Sequence, residues 1–197
     1  LDMAAKYQIP VHGRKVKESS LSFVIPNNGK RAIIRCRDDD YLHPFPTLRL
    51  DGIRALHLDG HQSDAALHYA KLCREKGVLV SLDGGGLRSN THELLNFVDV
   101  AVCGERLAEQ LNLDDKGLLD LLKSKGVKIG GVTRGERGML WYDESGTIRT
   151  QPPLKVPSEV IIDTNGAGDV FHGAYMYSYL ARPALPWESH FEFARAA

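Results

Sequence analysis

A Gly-Ala-Gly turn followed by an aspartate is the feature of this sequence with the clearest chemical potential. Residues 160–174 read Val-Ile-Ile-Asp-Thr-Asn-Gly-Ala-Gly-Asp-Val-Phe-His-Gly-Ala, which predicts an apolar strand, a turn at Gly166–Gly168 and then a helix. Small residues at a helix start leave backbone N–H groups uncovered, and the helix dipole adds partial positive charge there. Such a turn suits a phosphate, and Asp169 beside it could accept a proton from an attacking hydroxyl. The combination predicts phosphoryl transfer.

A structural role for the same residues is the alternative. The glycines would then only let the helix pack closely on a strand, and Asp169 would be an acid favoured by the helix dipole. The polar pair Asp163 and Thr164 just before the turn favours a site. We expect His172 to be a helix-face residue rather than a catalyst. We also expect one apolar stripe of the helix to be core, consisting of Val170, Gly173, Ala174, Tyr177 and Leu180.

Composition narrows the class of protein. Lys plus Arg and Asp plus Glu each number 25 among 197 residues, so the net charge is zero and nucleic acid is not an expected partner. The apolar runs are too short to span a bilayer, and no signal peptide opens the sequence, so no membrane partner is expected either. The three scattered cysteines, Cys36, Cys73 and Cys103, fit a reducing compartment, and we expect a cytoplasmic protein. Because the sequence begins at Leu1 and stops in a helical pattern at Ala197, we expect part of a longer protein.

The elements that must position the turn alternate between strands and helices after residue 51. Strands are predicted at 55–59, 78–83, 99–103, 129–133, 139–142 and 147–151. Helices are predicted between them, one with Ala66, Tyr69, Ala70 and Cys73 on its buried stripe, and others near 90–97, 105–111 and 118–126. This order predicts an α/β fold with a mostly parallel sheet and helices on both faces.

The first 50 residues have a different character. Apolar runs at 21–25 and 31–35 flank Asn28-Gly29, a pair that tolerates positive φ at both positions of a tight turn, so this stretch predicts a β-hairpin. Residues 38–50 contain three aspartates and two prolines and are predicted to be a loop or linker. We therefore divide the chain into a hairpin region with its linker at 1–50 and an α/β core at 51–197.

Polar residues recur where the predicted strands end. Because ligands bind outside the carboxyl ends of strands in such sheets, these residues predict one shared site. They are Asp59, Asp83, Glu105, Thr133 and the pair Asp163-Thr164. His57, Asp59 and His61 could instead be read as a metal cluster, but they supply no fourth ligand, and packing at the strand end is the preferred interpretation.

Two motifs resemble those of the PfkB carbohydrate kinases, the ribokinase-like family. The segment 163–169 is similar to the family signature, and Thr133-Arg134-Gly135-Glu136-Arg137-Gly138 is similar to its upstream Thr-x-Gly-x-x-Gly motif. The resemblance implies a three-layer α/β/α fold with a small β lid, formed here by the hairpin. It also implies that Asp169 is the catalytic base and that the backbone of Gly166, Ala167 and Gly168 is the anion hole. The nucleotide would be bound by Thr133, Gly135, Gly138, Thr164 and Asn165.

The resemblance is weaker for metal binding. Where the family often has Asn-x-x-Glu, this sequence has Gly104 and Leu107, and only Glu105 remains as a carboxylate for Mg²⁺. A solvated first-turn acid is the alternative for Glu105. Asp163 is the second metal candidate, for a monovalent cation such as K⁺.

The segment from Asp83 to Arg88 resembles the family's Asp-x-Asn-x-Arg segment, with glycine in place of asparagine. Together with Asp59, these two residues are the candidates for substrate binding.

The expected function is an ATP- and Mg²⁺-dependent kinase that phosphorylates a hydroxyl of a sugar or sugar derivative. The resemblance further implies a homodimer formed through the lid. A nucleotide-binding pseudokinase or sensor without turnover is the alternative, since the Asn-x-x-Glu position is altered. The sequence does not specify which sugar is the acceptor.

Overall fold

The computed structural model describes residues 2–27, 30–36, 40–157, 159 and 161–197. The chain forms two compact units, one up to Asp51 and one from Gly52 onward. None of the described helices is both long and apolar enough to cross a membrane.

The first unit is built around an antiparallel pair of strands. A short helix α1 (Asp2–Lys6) precedes strands β1 (Leu21–Asn27) and β2 (Lys30–Cys36), which pair with Phe23 opposite Ile34. The two strands agree with the hairpin expected from the sequence, whereas its turn residues 28 and 29 lie outside the described residues. Phe23, Val24 and Ile34 each leave about half of their surface exposed, so the pair presents apolar side chains to solvent.

The second unit contains a six-stranded sheet. Its strands are β3 (Ala55–Leu58), β4 (Leu79–Gly84), β5 (Val100–Gly104), β6 (Ile129–Thr133), β7 (Met139–Tyr142) and β8 (Arg149–Gln151). They lie side by side in chain order. The first four are mutually parallel, and β7 and β8 are added antiparallel. The predicted α/β class with a mostly parallel sheet is therefore confirmed.

Helices connect and cover these strands. They are α2 (Ser63–Glu75), α3 (Thr91–Leu94) with a 3₁₀ turn at Leu95–Phe97, α4 (Glu105–Gln110), α5 (Asp115–Ser124), α6 (Ala167–Ala181) and α7 (Trp187–Ala196). Local chemistry explains their ends. The Asp114 side chain accepts a hydrogen bond from the Gly117 N–H at 2.7 Å, a typical N-cap. Gly77, at φ 68°, follows α2 in the left-handed conformation that commonly ends a helix.

One cluster of the core lies between the sheet and the last two helices. Val100 and Val102 of β5 and Trp141 of β7 pack with Tyr175 of α6 and Phe191 of α7. The Trp141 and Phe191 rings meet edge to face with centroids 5.3 Å apart, an arrangement that adds to the energy of burial. Helix α6, which begins at the Gly-Ala-Gly turn, is thereby fixed against the sheet.

The predicted buried stripe of α6 is wrong for three of its five residues, whereas Ala174 packs against the core. Val170, Gly173 and Tyr177 are exposed, and the residues buried from this helix are His172, Tyr175, Met176 and Ser178. Apolar residues lie on all sides of α6, so the period of the sequence pattern could not select the face that meets the sheet.

The predicted strand before the turn is not present either. Ile161 and Ile162 have no strand partner within the described residues, and Ile162 is 98% exposed. Val160 lies outside the described residues.

Candidate active site

The amino terminus of α6 offers unpaired backbone donors. Gly166 precedes the helix at φ 82°, a conformation that favours glycine, and its carbonyl accepts the Val170 N–H at 2.9 Å. The Ala167 N–H bonds the Thr164 carbonyl at 3.3 Å. The N–H groups of Gly168 and Asp169 reach no acceptor in the described part of the chain. A Cβ added to Gly168 would meet no atom within 4 Å, so the backbone is open to a ligand on that side.

The residues just before this turn shape it. The Asp163 carboxylate accepts the Asn165 N–H at 2.8 Å, an Asx turn that brings the chain into α6. Asp163, Thr164, Asn165 and Asp169 are all exposed. The carboxylate that could serve as a base therefore stands in solvent, one residue past an open backbone.

Three predicted carboxylates come together at the carboxyl ends of β3 and β4. Burial raises the pKa of Asp83, and the negative charges of Asp169 and Asp59 raise it further. A backbone hydrogen bond from Gly85 and the charge of Arg88 act in the opposite direction. The tertiary structure thus gathers Asp59, Asp83 and Asp169 in one region, although they are far apart in sequence.

Arg88 lies beside Asp59, as its proposed role in the same site requires. Its Nε donates to the Asp59 carbonyl at 3.0 Å, and its Nη2 lies 2.6 Å from His61 Nε2. The Asp59 carboxylate accepts the His61 backbone N–H at 2.9 Å. His57 instead faces Ser81, at 3.1 Å. The described residues contain no group of three or more His, Cys, Asp or Glu side chains suited to a metal, so His57, Asp59 and His61 do not form the alternative cluster.

A buried histidine and tyrosine join this site, and sequence reasoning missed both. His172 is only 5% exposed, and its Nε2 lies 3.5 Å from an Asp83 carboxylate oxygen. Its Nδ1 lies 3.0 Å from the Tyr175 hydroxyl. Burial and the neighbouring His57 lower the pKa of His172 to about 3, so the ring is neutral at physiological pH. His172 is therefore a buried residue of α6, and its interpretation as a helix-face residue rather than a catalyst stays a prediction. Its spacing of three residues from Asp169 was the available signal, since such residues share a helix face.

The second motif forms a tight loop after β6. The Arg134 N–H bonds the Gly138 carbonyl at 2.8 Å, and Gly135 to Arg137 form one 3₁₀ turn. Gly138 has φ 77° and ψ −140°, and a Cβ there would lie 2.2 Å from the Gln151 carbonyl oxygen. A Cβ on Gly135 would meet nothing within 4 Å. Gly138 is thus required for packing on β8, whereas Gly135 leaves open space.

Thr133 and Glu105 lie next to each other in the sheet region but have separate partners. Thr133 ends β6, and its hydroxyl donates to the Cys103 carbonyl at 3.3 Å. Glu105 follows Gly104, which is the register partner of Thr133. The Glu105 carboxylate forms an ion pair with Arg137 of the second motif. The Glu105 carboxylate is therefore already paired with the Arg137 guanidinium, and its role as a metal ligand stays a prediction.

Sequence comparison relates this chain to known kinases. Residues 14–197 match the model of the pfkB family carbohydrate kinases. A cytidine kinase from Thermococcus kodakarensis is 34% identical over 94 residues, which are 47% of this chain and 33% of the relative. A ribokinase from Lactococcus lactis is 29% identical over 117 residues, 59% of this chain and 36% of the relative. The matched region thus spans about a third of the length of these curated relatives.

Solved structures agree on the fold. A fructokinase with bound ATP from Xylella fastidiosa superposes with a TM-score of 0.73 at 19% identity, covering 98% of this chain and 67% of that one. A ribokinase from Cryptococcus neoformans in complex with ADP superposes with a TM-score of 0.70 at 16% identity, covering 91% and 64%. At these identities the likeness concerns the fold alone.

Proposed function

Because this chain belongs to the pfkB family of carbohydrate kinases, we propose that the whole protein transfers the γ-phosphoryl group of ATP to a hydroxyl of a sugar or nucleoside. The observation that carries the proposal is the amino terminus of α6. There the N–H groups of Gly168 and Asp169, which reach no acceptor among the described residues, lie beside the exposed Asp169 carboxylate. A donor for developing negative charge and an acceptor for a proton are the two groups that phosphoryl transfer to an alcohol requires.

In the proposed reaction Asp169 is the general base. It accepts the proton of the acceptor hydroxyl as that oxygen bonds the γ-phosphorus and the bond from phosphorus to the ADP oxygen breaks. The backbone of Gly166, Ala167 and Gly168 forms the anion hole that faces the transferred group. Gly168 fits this role best, because its N–H is unpaired and its Cα side is open. The amide donors at a helix start are already oriented, so they stabilise the transition state without rearranging.

The nucleotide is proposed to bind between the two glycine motifs, at Thr133, Gly135, Gly138, Thr164 and Asn165. The open side of Gly135 supports close approach of a ligand to the backbone. Gly138 supports the site indirectly by keeping the loop tight against β8.

Mg²⁺ fits this chain as an ion held largely by the nucleotide. The ion prefers phosphate oxygens and water plus one or two protein carboxylates, and when bound it would neutralise charge on the phosphates. Glu105 is the candidate carboxylate, in competition with its ion pair to Arg137. Asp163 is the candidate for a monovalent cation such as K⁺, although its carboxylate also holds the Asn165 turn.

The acceptor is proposed to lie against Asp59, Asp83 and Arg88. Carboxylates accept hydrogen bonds from several hydroxyl groups at once, which suits a polyol. Burial and like charges raise the pKa of Asp83, as is common for groups at functional sites.

The β1–β2 pair is proposed to act as a lid and to mediate a homodimer. Its exposed apolar side chains, Phe23, Val24 and Ile34, support this role, because an exposed apolar edge needs a partner.

Asp169→Asn in the full-length protein tests the proposed function. ATP consumption with Mg²⁺ is measured against a panel of sugars and nucleosides, and ATP binding is measured by calorimetry. We expect kcat to fall about 10²- to 10⁴-fold with ATP affinity nearly unchanged, because the variant loses only the base. Glu188→Gln is the matched control, since Glu188 is an acid in the first turn of the adjacent helix α7.

Two results would contradict parts of this proposal. Equal loss of turnover and of ATP binding in Asp169→Asn would contradict the assignment of the base. ATP binding without turnover on any acceptor would favour the alternative, a nucleotide-binding pseudokinase.

A further inference from the structure

A chain of polar side chains runs through the second unit beneath Asp169. His57 Nδ1 lies 3.1 Å from Ser81 Oγ, which lies 2.9 Å from the Tyr175 hydroxyl. That hydroxyl lies 3.0 Å from His172 Nδ1, and His172 Nε2 lies 3.5 Å from Asp83 Oδ1. The chain therefore links β3 and β4 to α6 and ends on a carboxylate of the candidate active site.

We propose that His172, as a neutral imidazole held between Tyr175 and Asp83, is the positioning residue that fixes the catalytic helix α6 to the sheet. The proposal rests on the proposed function, since it concerns the placement of the base Asp169 and of the anion hole.

The carboxylate at the end of the chain sets the direction of its hydrogen bonds. The 3.5 Å between His172 Nε2 and Asp83 Oδ1 is longer than a hydrogen bond, but a carboxylate at this distance favours the tautomer with the proton on Nε2. In that tautomer Nδ1 is an acceptor. Tyr175 then donates to His172, Ser81 donates to Tyr175, and His57 Nδ1–H donates to Ser81. This direction satisfies every member from His57 to His172, and the Asp83 carboxylate selects it over the reverse direction. The proposal therefore predicts the Nε2–H tautomer of His172.

Because these side chains are buried, each needs a hydrogen-bond partner within the protein. Ser81 and Tyr175 are completely buried and His172 is 5% exposed. A buried polar group that loses its partner destabilises the folded protein, because it has no water to bond instead. A rotation or slide of α6 would separate Ser81 from Tyr175 and Asp83 from His172, the two pairs that join the helix to β4. These two contacts therefore resist displacement of the helix relative to β4.

Helical geometry connects this resistance to catalysis. Asp169, His172 and Tyr175 are spaced three residues apart on α6, so they lie on one face over successive turns. His172 thus anchors the turn directly below the base and the open N–H groups. A displacement of about 1 Å at a reacting group can cost about 10²-fold in rate.

If the network only stabilised the fold, its loss would lower stability without a specific loss of kcat. A second buried hydrogen bond on α6 provides the control for this alternative. Ser178 is also buried on α6, and its hydroxyl lies 3.0 Å from His190 Nδ1. Within the described residues this pair has no side-chain hydrogen bond to a candidate site residue. Ser178→Ala therefore removes a buried hydrogen bond of the same helix without touching the chain to Asp83.

The test compares Tyr175→Phe, His172→Phe, His172→Asn and Ser178→Ala in the full-length protein. We expect kcat per folded molecule to fall about 10- to 100-fold in the two phenylalanine variants. KM for ATP should stay within about two-fold, because the lost interaction acts on transition-state geometry. His172→Asn keeps a polar atom near the Nδ1 position and should recover part of kcat. Ser178→Ala should lower only the melting temperature.

The His172 tautomer gives a readout that does not depend on turnover. Nitrogen–proton correlation NMR on protein with ¹⁵N-labelled histidine should show His172 as the Nε2–H tautomer throughout about pH 5.5–8, without titration. Tyr175→Phe should shift it towards a tautomer mixture. A His172 that titrates near its ordinary pKa of about 6.5, or whose tautomer ignores Tyr175→Phe, would overturn the proposal.

The kinetic measurements can also contradict the proposal. Unchanged kcat in Tyr175→Phe and His172→Phe, or an equal loss of kcat in Ser178→Ala, would show that the network only stabilises the fold. If the wild-type protein turns over no acceptor, the proposed function fails, and the tautomer measurement still decides whether the network exists.

Discussion

Aspartates at the two ends of the same sheet have opposite surroundings. At the amino ends of the strands, Asp99 is only 6% exposed. Its carboxylate pairs with Arg74 at 2.9 Å and with Lys128 at 3.1 Å, and it accepts the backbone N–H of Val80 at 3.1 Å. At the carboxyl ends, Asp83 has the negative charges of Asp59 and Asp169 nearby and a neutral His172 beside it. Arg88 is the one cation whose charge is found to lower the pKa of Asp83 within the described residues.

The difference distinguishes an aspartate whose charge is compensated by the fold from one whose surroundings suit the proposed role in substrate binding. Asp99 joins α2, β4 and the segment before β6 through charge-assisted hydrogen bonds, so its charge is compensated. Asp83 is kept in a partly buried, like-charged environment that disfavours its ionised form. Groups arranged in this way concentrate at functional sites, whereas compensated carboxylates serve the scaffold.

The largest expected effect concerns acid pH and His172. The folded protein holds the pKa of His172 at about 3, below the ordinary value of 6.5. Between these values the unfolded chain binds a proton that the folded protein does not, so stability falls as pH falls through this window. We expect wild type to lose up to about 1.4 kcal/mol per pH unit more than His172→Asn between about pH 6 and 4. Urea unfolding of both proteins across this range measures the difference, and parallel pH profiles would contradict the lowered pKa.

Asp99→Asn is expected to have the next largest effect. The variant weakens the bonds to Arg74 and Lys128, and we expect a loss of about 1–3 kcal/mol in the free energy of unfolding. The loss stays moderate because Arg74 and Lys128 are partly exposed and can return to water. Activity per folded molecule should be unchanged. Chemical denaturation measures the free energy of unfolding, and active-site titration measures the activity per folded molecule. A selective loss of kcat would contradict the distinction between the two ends of the sheet.

Asp83→Asn should show the reverse pattern. Because burial and like charges raise the pKa of Asp83, removing its charge relieves an unfavourable interaction. We expect stability at pH 7 to rise or to fall by less than about 0.5 kcal/mol, while kcat/KM for the acceptor falls. Denaturation side by side with Asp99→Asn is the measurement. A destabilisation as large as that of Asp99→Asn would mean that both aspartates are structural.

Glu105→Gln gives the smallest expected effect on stability. The ion pair with Arg137 joins two groups that are both more than 40% exposed, and such pairs contribute about 0–1 kcal/mol. The variant still tests metal binding, since the Mg²⁺ concentration for half-maximal activity should rise if Glu105 contacts the ion. Arg137→Gln is the control, because it breaks the same pair while leaving the carboxylate. An unchanged Mg²⁺ requirement in Glu105→Gln would restrict Glu105 to the ion pair.

Local patterns allowed much of the fold to be predicted from the sequence. Strands 129–133 and 139–142 have the bounds that were predicted, and the buried stripe of α2 is the predicted one. These predictions used alternating apolar segments, glycines that end helices and acidic residues in the first turn of a helix. All three depend on neighbouring residues, so they can be recognised without tertiary contacts. The same holds for the Gly-Ala-Gly turn, whose open backbone depends on residues 163–170 alone.

Tertiary contacts decided the rest of the candidate site. The buried face of α6 depends on which side meets the sheet, and its sequence is apolar on every side. The Ser81–Tyr175 contact joins residues 94 positions apart, so no local sequence pattern predicts it. His172 is neutral because burial and the neighbouring His57 of β3 lower its pKa, and both arise from the packing of α6 on the sheet. The sequence by itself therefore determined where the open turn and its aspartate lie along the chain. Long-range packing alone decided which side chains surround that aspartate, because burial and charge at a site depend on groups brought together from distant segments.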